Sequence, residues 1–322
     1  MASQRTAPES PSDLPKRSWL GTTKRTVGGF RDDNITDWAA ALTYYSVLSI
    51  FPALIAMMSI LGLVVDQATI TRVITDTVTE IGPRSAVDTF ATPLEQISQN
   101  QSTALVGLIA GVAIAIWTAS NYVGAFMRAS NSVYDREEGR PFWKLKPLQL
   151  LLTLILVLLV ALVVVALIVS GPVAQAIGNA VGLGSTAVTV WDIAKWPVML
   201  LVVMFMLAIL YWAAPNAKPA GFRWISPGSV VAVLAWIVAS AAFAFYAANF
   251  ASYNATYGAL GGVIVFLVWL WITNIAILLG AELNSEVERG REIEAGVPGA
   301  EEEIKAPYRE APKDEREHAA RS

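Results

Sequence analysis

Long apolar runs alternate with short polar stretches along this chain, a pattern typical of a protein that crosses a membrane several times. Each run is about 20 residues long, enough for a helix to span the hydrocarbon core. Charged residues make up only 15% of the chain, against 55% hydrophobic ones, and they lie between and outside the runs. The pattern predicts an all-α polytopic membrane protein with six transmembrane helices, at 37–65, 103–127, 148–169, 196–214, 227–250 and 257–282.

Three polar segments flank or interrupt the predicted transmembrane domain, 37–284. Residues 1–36 are basic and are predicted to be a flexible cytoplasmic segment without a cleavable signal peptide. In 66–102 apolar residues recur at helical spacing, which predicts extracytoplasmic amphipathic helices near the membrane surface; an ordinary extramembrane helical hairpin stays an alternative. Residues 285–322 are rich in charge and proline, and are predicted to be a disordered cytoplasmic tail.

The distribution of basic residues indicates the orientation in the membrane. If the N-terminus is cytoplasmic, six spans place 20 of the 23 Lys and Arg residues on the cytoplasmic side. The opposite side then holds Arg72, Arg84 and Lys195. Because Lys and Arg are retained on the cytoplasmic side, we expect a multi-pass protein with both termini in the cytoplasm.

The first span carries polar residues that a simple membrane anchor does not need. Tyr44, Tyr45, Ser46 and Ser49 lie in its first half, and Pro52 lies near its middle. Hydroxyl groups in hydrocarbon need partners, and proline removes a backbone donor. This helix is therefore predicted to form a wall of a site, with Pro52 as a hinge or as a static kink.

Polar residues in two other spans lie at the same depth. At ~1.5 Å of rise per residue, they lie ~24–27 Å from the outer ends of their helices. Polar groups in lipid often mark a pathway or a site, which predicts a cavity open to the cytoplasm. Interhelical hydrogen bonds, worth ~0.6 kcal/mol each, are the alternative. The additional cavity residues are Trp117, Thr118, Ser120 and Asn121 in the second span, and Thr273 and Asn274 in the sixth.

Candidates for ion chemistry are few. Asp37 and Glu282 fall at the inner interface, where they are either a proton- or cation-coupling pair or ordinary interfacial acids. The chain has no cysteine, and its one histidine, His318, lies in the tail. We therefore predict no metal site, no cofactor and no catalytic residue.

Several stretches together resemble the YihY/BrkB family of bacterial inner-membrane proteins, once labelled ribonuclease BN. Ser229 departs from the family's pattern, in which alanine is expected. The matching stretches are 39–62, the residues Trp117, Ser120, Asn131, Tyr134, Arg140, Pro141 and Trp143, then 215–229, Tyr246 and 257–284.

The resemblance implies a six-helix plasma-membrane protein but no established reaction. Hydrolysis of RNA by a metal enzyme needs clustered ligands in a soluble domain, and the sequence offers neither. The ribonuclease label is rejected on this ground, and no nucleic-acid partner is predicted.

Three functions remain as hypotheses. The first is a transporter or permease-like protein that takes a lipid or an amphipathic solute from the cytoplasmic side. The second is a non-transporting membrane scaffold that holds an envelope-assembly protein through the external amphipathic helices 68–97. The third is a lipid-modifying enzyme, which is the weakest because no nucleophile–base pair occurs at membrane depth. Membrane lipids are expected partners in each case, and the sequence leaves the oligomeric state open.

Overall fold

Seven helices make up the part of the chain that the structure, a computed structural model, describes: residues 14–64, 101–169, 174–175, 178, 184–218, 225–249 and 259–313. These ranges contain no strand, and the prediction of an all-α fold is confirmed for them. The helices are α1 (Lys16–Asp32), α2 (Ile35–Val64), α3 (Gln101–Val133), α4 (Phe142–Ile168), α5 (Ser185–Ala213), α6 (Pro227–Asn249) and α7 (Ala259–Ala295).

Among the described residues, five helices, α3 to α7, are long and apolar enough to cross a membrane. Their exposed side chains include many apolar ones: Leu158 of α4 is 61% exposed and Val238 of α6 is 68% exposed. Such surfaces are unfavourable in water and compatible with lipid tails. The protein is therefore a multi-pass membrane protein. A sixth crossing, by α2, stays a prediction, and segment 66–102 lies almost wholly outside the described residues.

Several helices extend beyond the predicted spans. Helix α7 continues to Ala295 instead of ending near 282, and α3 continues to Val133 instead of 127. Helix α5 begins at Ser185 rather than 196, so that Asp192 and Lys195 lie one turn apart within it, paired at 2.8 Å. Apolar sequence marks only the part of a helix that contacts lipid or core, because backbone hydrogen bonds continue the helix into charged sequence.

The basic N-terminal segment differs from the expected flexible chain, because helix α1 occupies its residues 16–32. This helix runs antiparallel to the C-terminal end of α7. Arg17 lies 3.4 Å from Glu294, and the Thr22 hydroxyl donates to the Glu286 carbonyl at 3.5 Å. The chain then turns before α2, where Asn34 has a φ of 53°, a conformation that asparagine tolerates better than most residues.

The C-terminal tail also differs from the expected disorder, since residues up to 313 are ordered. Residues 304–310, here called the C-terminal strap, cross two connections between helices. Arg136 donates to the carbonyls of Ile304 and Ala306, at 2.5 and 2.9 Å. The backbone N–H of Lys218 donates to the Pro307 carbonyl at 2.7 Å. These contacts occupy backbone carbonyls that a free tail would leave to water, which explains how charged sequence is ordered here.

Helices α6 and α7 form the most extensive helix pair of the described residues. A Cβ added at Gly280 would lie 2.5 Å from the Gly228 carbonyl oxygen and 2.4 Å from the Tyr211 hydroxyl. Close approach between these helices therefore depends on glycine. Helix α6 begins with a reciprocal cap, in which the Ser226 and Ser229 hydroxyls each accept the other's backbone N–H, at 3.1 and 3.0 Å.

Candidate functional site

The residues predicted to line a cavity are divided between two compact units of the chain. One unit is Tyr44–Tyr122, and the other is Met1–Thr43 with Val123–Ser322. In the first unit some hydroxyls donate to carbonyls of their own helices. Ser49 donates to the Tyr45 carbonyl at 2.8 Å, and Thr118 donates to the Ile114 carbonyl at 2.7 Å. Such bonds satisfy a hydroxyl inside a membrane without any partner on another helix.

Tyr44 and Trp117 are among the exposed large side chains of this unit. Tyr44 is 61% exposed and Trp117 is 54% exposed, and the Tyr44 ring meets the Tyr45 ring edge-on at 5.4 Å. Ser46 and Asn121 are half-buried, as is Tyr45, and Ser120 is buried with its hydroxyl 2.6 Å from the Trp117 carbonyl. Exposed Tyr and Trp side chains offer both an apolar surface and a polar group. A cavity lined by these residues stays a prediction.

Thr273 and Asn274 of α7 make contacts between helices. The buried Asn274 amide donates to the Thr43 hydroxyl of α2 at 3.1 Å, and Thr43 donates to the Ala39 carbonyl at 2.8 Å. The Thr273 hydroxyl accepts from the Trp236 indole of α6 at 3.1 Å. These bonds agree with the alternative interpretation of the polar residues, hydrogen bonds that join helices.

The two acids predicted at the interface have different surroundings. Asp37 is exposed in the first turn of α2. A carboxylate there interacts favourably with the dipole of the helix. Glu282 is 1% exposed and faces α1, with its Oε1 at 2.0 Å from the position of a Cβ on Gly29. Its acidic neighbour is Asp33, whose Oδ2 lies 3.4 Å from the same Cβ position. Pro52 lies inside α2, which continues through it, and its role as a hinge stays a prediction.

An ion-pair cluster lies next to Glu282. Glu286, one turn further along α7, pairs with Arg25 of α1 and with Arg289 at 3.2 Å. Glu286 is 5% exposed, and both of its oxygens are engaged. A buried carboxylate needs such pairing, because unpaired charge in the interior is costly. The cluster thus fixes α1 against α7 and supplies the electrostatic surroundings of Glu282.

A second polar network joins the connections between helices to the C-terminal strap. Glu138 accepts two hydrogen bonds from the Arg140 guanidinium, at 2.7 and 2.6 Å, one from the Arg140 backbone N–H at 3.0 Å, and one from Asn131 at 2.9 Å. Burial alone would raise the pKa of Glu138. The hydrogen bonds and the charge of Arg140 outweigh burial and hold this pKa below its usual range. Asn216 bonds the Asn131 side chain through its N–H, at 2.6 Å, and the Glu310 backbone through its side chain.

These two clusters, together with the strap, form what we call the polar end of the unit that contains α4 to α7. The reasoning from sequence missed Asp33 and Gly29, which lie in the basic segment before the first apolar run. A signal was present in the sequence, since Asp33-Asn34 interrupts an otherwise helical stretch. Asn131, Arg140 and Asn216 were singled out only by family resemblance, and their mutual contacts became visible in the fold. The described residues contain no group of three or more His, Cys, Asp or Glu residues that could hold a metal ion.

Apolar spanning helices and a hydrogen-bonded polar end define an integral membrane protein. The chain belongs to the BrkB family, because the family model for "Virulence factor BrkB" matches residues 26–304. It is 31% identical to YfkH of Bacillus subtilis, whose name describes it as ribonuclease-like, over 79% of this chain and 90% of that protein. A UPF0761 membrane protein of Haemophilus influenzae is 24% identical, over 82% and 94% of the two chains. No solved structure matches the chain.

Proposed function

We propose that this protein is a transporter or permease-like protein of the bacterial plasma membrane that accepts a lipid or an amphipathic solute through a polar cavity. The observation that carries the proposal is the exposure of Tyr44 and Trp117. By the rise of their helices, both lie in the inner half of the bilayer. Exposed amphipathic side chains at that depth suit a substrate with a polar head and an apolar body. Ser49 and Asn121 belong to the same proposed lining, whereas the Asn274 contact with Thr43 favours a packing role.

The proposed orientation places both termini in the cytoplasm. Its support is the distribution of Lys and Arg. The gathering of α1, the strap and two interhelical connections at the polar end also supports it. We expect a single cysteine at the C-terminal tail to react with a membrane-impermeant thiol reagent only after the cytoplasmic side is opened. Reaction in intact cells would contradict this orientation.

The cavity can be tested in this cysteine-free chain by single substitutions. Ser49→Cys and Asn121→Cys should react with a water-soluble thiol reagent, and a bulky reagent should then block uptake of a fluorescent phospholipid analogue in proteoliposomes. Thr189→Cys is the matched control, because Thr189 is exposed and also bonds a carbonyl of its own helix. Its modification should leave uptake unchanged. A protein that moves neither lipid nor solute analogues contradicts the proposal.

The alternative is a scaffold that holds an envelope-assembly protein through segment 66–102, which lies almost entirely outside the described residues. Deletion of residues 68–97 separates the two functions. A scaffold loses its co-purifying partner on deletion, whereas a transporter keeps thiol reactivity at Ser49→Cys. On either reading we propose that the protein is not an enzyme and binds no nucleic acid.

A further inference from the structure

We propose that Asp33 and Glu282 form a proton-binding site, in which one proton shared by the two carboxyls fastens α1 and the start of α2 to α7. The proposal does not depend on transport. Glu282 Oε1 and Asp33 Oδ2 lie 2.0 and 3.4 Å from a single point, the position of a Cβ on Gly29. The two carboxyl groups thus converge beside Gly29, close enough to share a proton. Because ionised carboxylates only accept hydrogen bonds, a hydrogen bond between the two requires a proton on one of them.

The surroundings of Glu282 indicate which carboxyl carries the proton. Glu282 is 1% exposed, and its Oε2 has no hydrogen-bond partner in the described part of the chain. An ionised carboxylate buried with an unpaired oxygen is far more costly than a neutral carboxyl group. Asp33 is only about half buried and can keep its charge more easily. We therefore assign the proton to Glu282, which donates it to Asp33.

The nearby charges favour a retained proton. Burial raises the pKa of the Asp33 carboxyl to about 6, nearby acids add to the rise, and the hydrogen bond from Glu282 opposes it. Arg25 and Arg289 are both paired with Glu286. The charged and titratable groups that face the pair are Asp32 of α1, Glu286 of α7 with its partners Arg25 and Arg289, and Tyr134 and Asp135 after α3.

The consequence is a pH-dependent attachment of α1. The docked state binds the shared proton more tightly than the separated state, in which the hydrated carboxyls release it in their ordinary acidic range. Linkage then makes docking strongest at low pH and weakens it as the pH rises until the docked pair loses its proton. Loss of the shared proton at higher pH leaves two neighbouring carboxylates, whose repulsion weakens docking further. The ligand of this site is thus a proton, and its release loosens the N-terminal helix.

Thiol labelling of the full chain in nanodiscs tests the proposal. Thr22 is buried against Glu286, and Thr23 is exposed on the same helix. The labelling rate of Thr22→Cys, divided by that of Thr23→Cys, cancels the titration of the thiol itself and reports undocking. We expect this ratio to rise about tenfold, the equivalent of one pKa unit, between about pH 5 and about pH 10. A ratio that does not change with pH overturns the proposal.

Two substitutions separate the pair from its neighbours. Glu282→Gln can donate to Asp33 at any pH, so the ratio should stay low throughout. Asp32→Asn neutralises an exposed acid on the same turn, and the rise should persist. A rise that survives in Glu282→Gln contradicts the assignment. The Thr22→Cys labelling should also be compared at high pH in sodium and in an equal concentration of N-methylglucamine. If sodium alone restores protection, the site binds a metal cation, and the proposal is overturned.

Infrared spectroscopy of the unmutated protein gives an independent readout of the protonation of the two carboxyls. A protonated-carboxyl band should be present at neutral pH, disappear at high pH, and be lost in Glu282→Gln. The absence of such a band from the unmutated protein also overturns the proposal.

Discussion

The two halves of α7 have opposite patterns of burial. In the first half apolar side chains are exposed, with Val263 at 54% and Ile264 at 52%. In the second half polar ones are buried, with Glu282 at 1% and Ser285 at 0%. A soluble protein shows the reverse tendency. The exposed apolar side chains of the first half suit the apolar phase of the membrane, whereas the second half packs against α1 and α6, where Glu286 pairs with Arg25 and Asn284 accepts from the Gly228 N–H.

This difference shows that an apolar residue in a membrane protein can face lipid and need not be buried inside the protein. An apolar helix surface loses little against lipid tails, so the exposed apolar side chains of the first half need no protein partner. Polar groups gain by meeting one another, and they collect where helices approach closely. The tightest packing should therefore lie at the polar end, and the substitutions below test the contrast between the halves.

The largest effect is expected from glycine substitutions on α7. An added Cβ at Gly280 would lie 2.5 Å from the Gly228 carbonyl oxygen, whereas one at Gly262 meets nothing within 4 Å. Gly280→Ala should therefore lower the free energy of unfolding by about 3 kcal/mol through overpacking. Gly262→Ala should be neutral or stabilising by up to about 1 kcal/mol. Thermal unfolding in nanodiscs measures both, and equal effects would contradict the difference in packing.

Removal of the buried arginine of the polar end should rank next. The Arg140 side chain is 6% exposed, and Arg140→Ala removes its bonds to Glu138 and to the Ala214 carbonyl. We expect a loss of about 2 kcal/mol. Lys144→Ala removes an exposed pair with Glu310 and should cost less than about 1 kcal/mol.

The Arg140→Ala substitution should also change the pH dependence of the free energy of unfolding. Arg140 lowers the Glu138 pKa, so their pairing stabilises the protein above the ordinary value of 4.5 and is lost as the pH falls. The stability curve of Arg140→Ala should therefore be flatter on the acid side than that of the unmutated chain. Parallel curves would indicate that Arg140 has little effect on the pKa of Glu138.

An intermediate effect is expected at the contact between α1 and α7. A Cβ at Gly29 would overlap the Glu282 carboxyl, whereas one at Gly28 meets nothing within 4 Å. Gly29→Ala should displace Glu282 from Asp33 and raise the labelling of Thr22→Cys about tenfold. Gly28→Ala keeps the contact and adds the same helix propensity. If both variants label alike, the Glu282 carboxyl does not rest on Gly29.

The smallest effect should come from the hydrogen bond between α2 and α7. Asn274→Ala removes the donor to Thr43, and such bonds are worth ~0.6 kcal/mol in membranes. A loss of that size in thermal unfolding supports a packing role. A normal melting temperature together with lost uptake in proteoliposomes would instead return Asn274 to the proposed cavity.

The sequence by itself determined the membrane class, the helical fold and the family of this protein, because long apolar runs and recurring motifs are local properties. It also placed the cores of α3 to α7, although not their ends, since charged sequence continues a helix wherever a neighbour satisfies it. Order in the C-terminal strap depended on partners such as Arg136 and Asn216, far away in the chain.

The partner of Glu282 was decided only by the tertiary structure. Asp32, Asp33 and Asp37 lie within six residues, and composition cannot choose among them. The turn at Asn34 and the missing Cβ of Gly29 bring Asp33 to the buried carboxyl and leave Asp37 in the exposed first turn of α2. Contacts between distant segments depend on how helices pack, and packing is a property of the assembled fold.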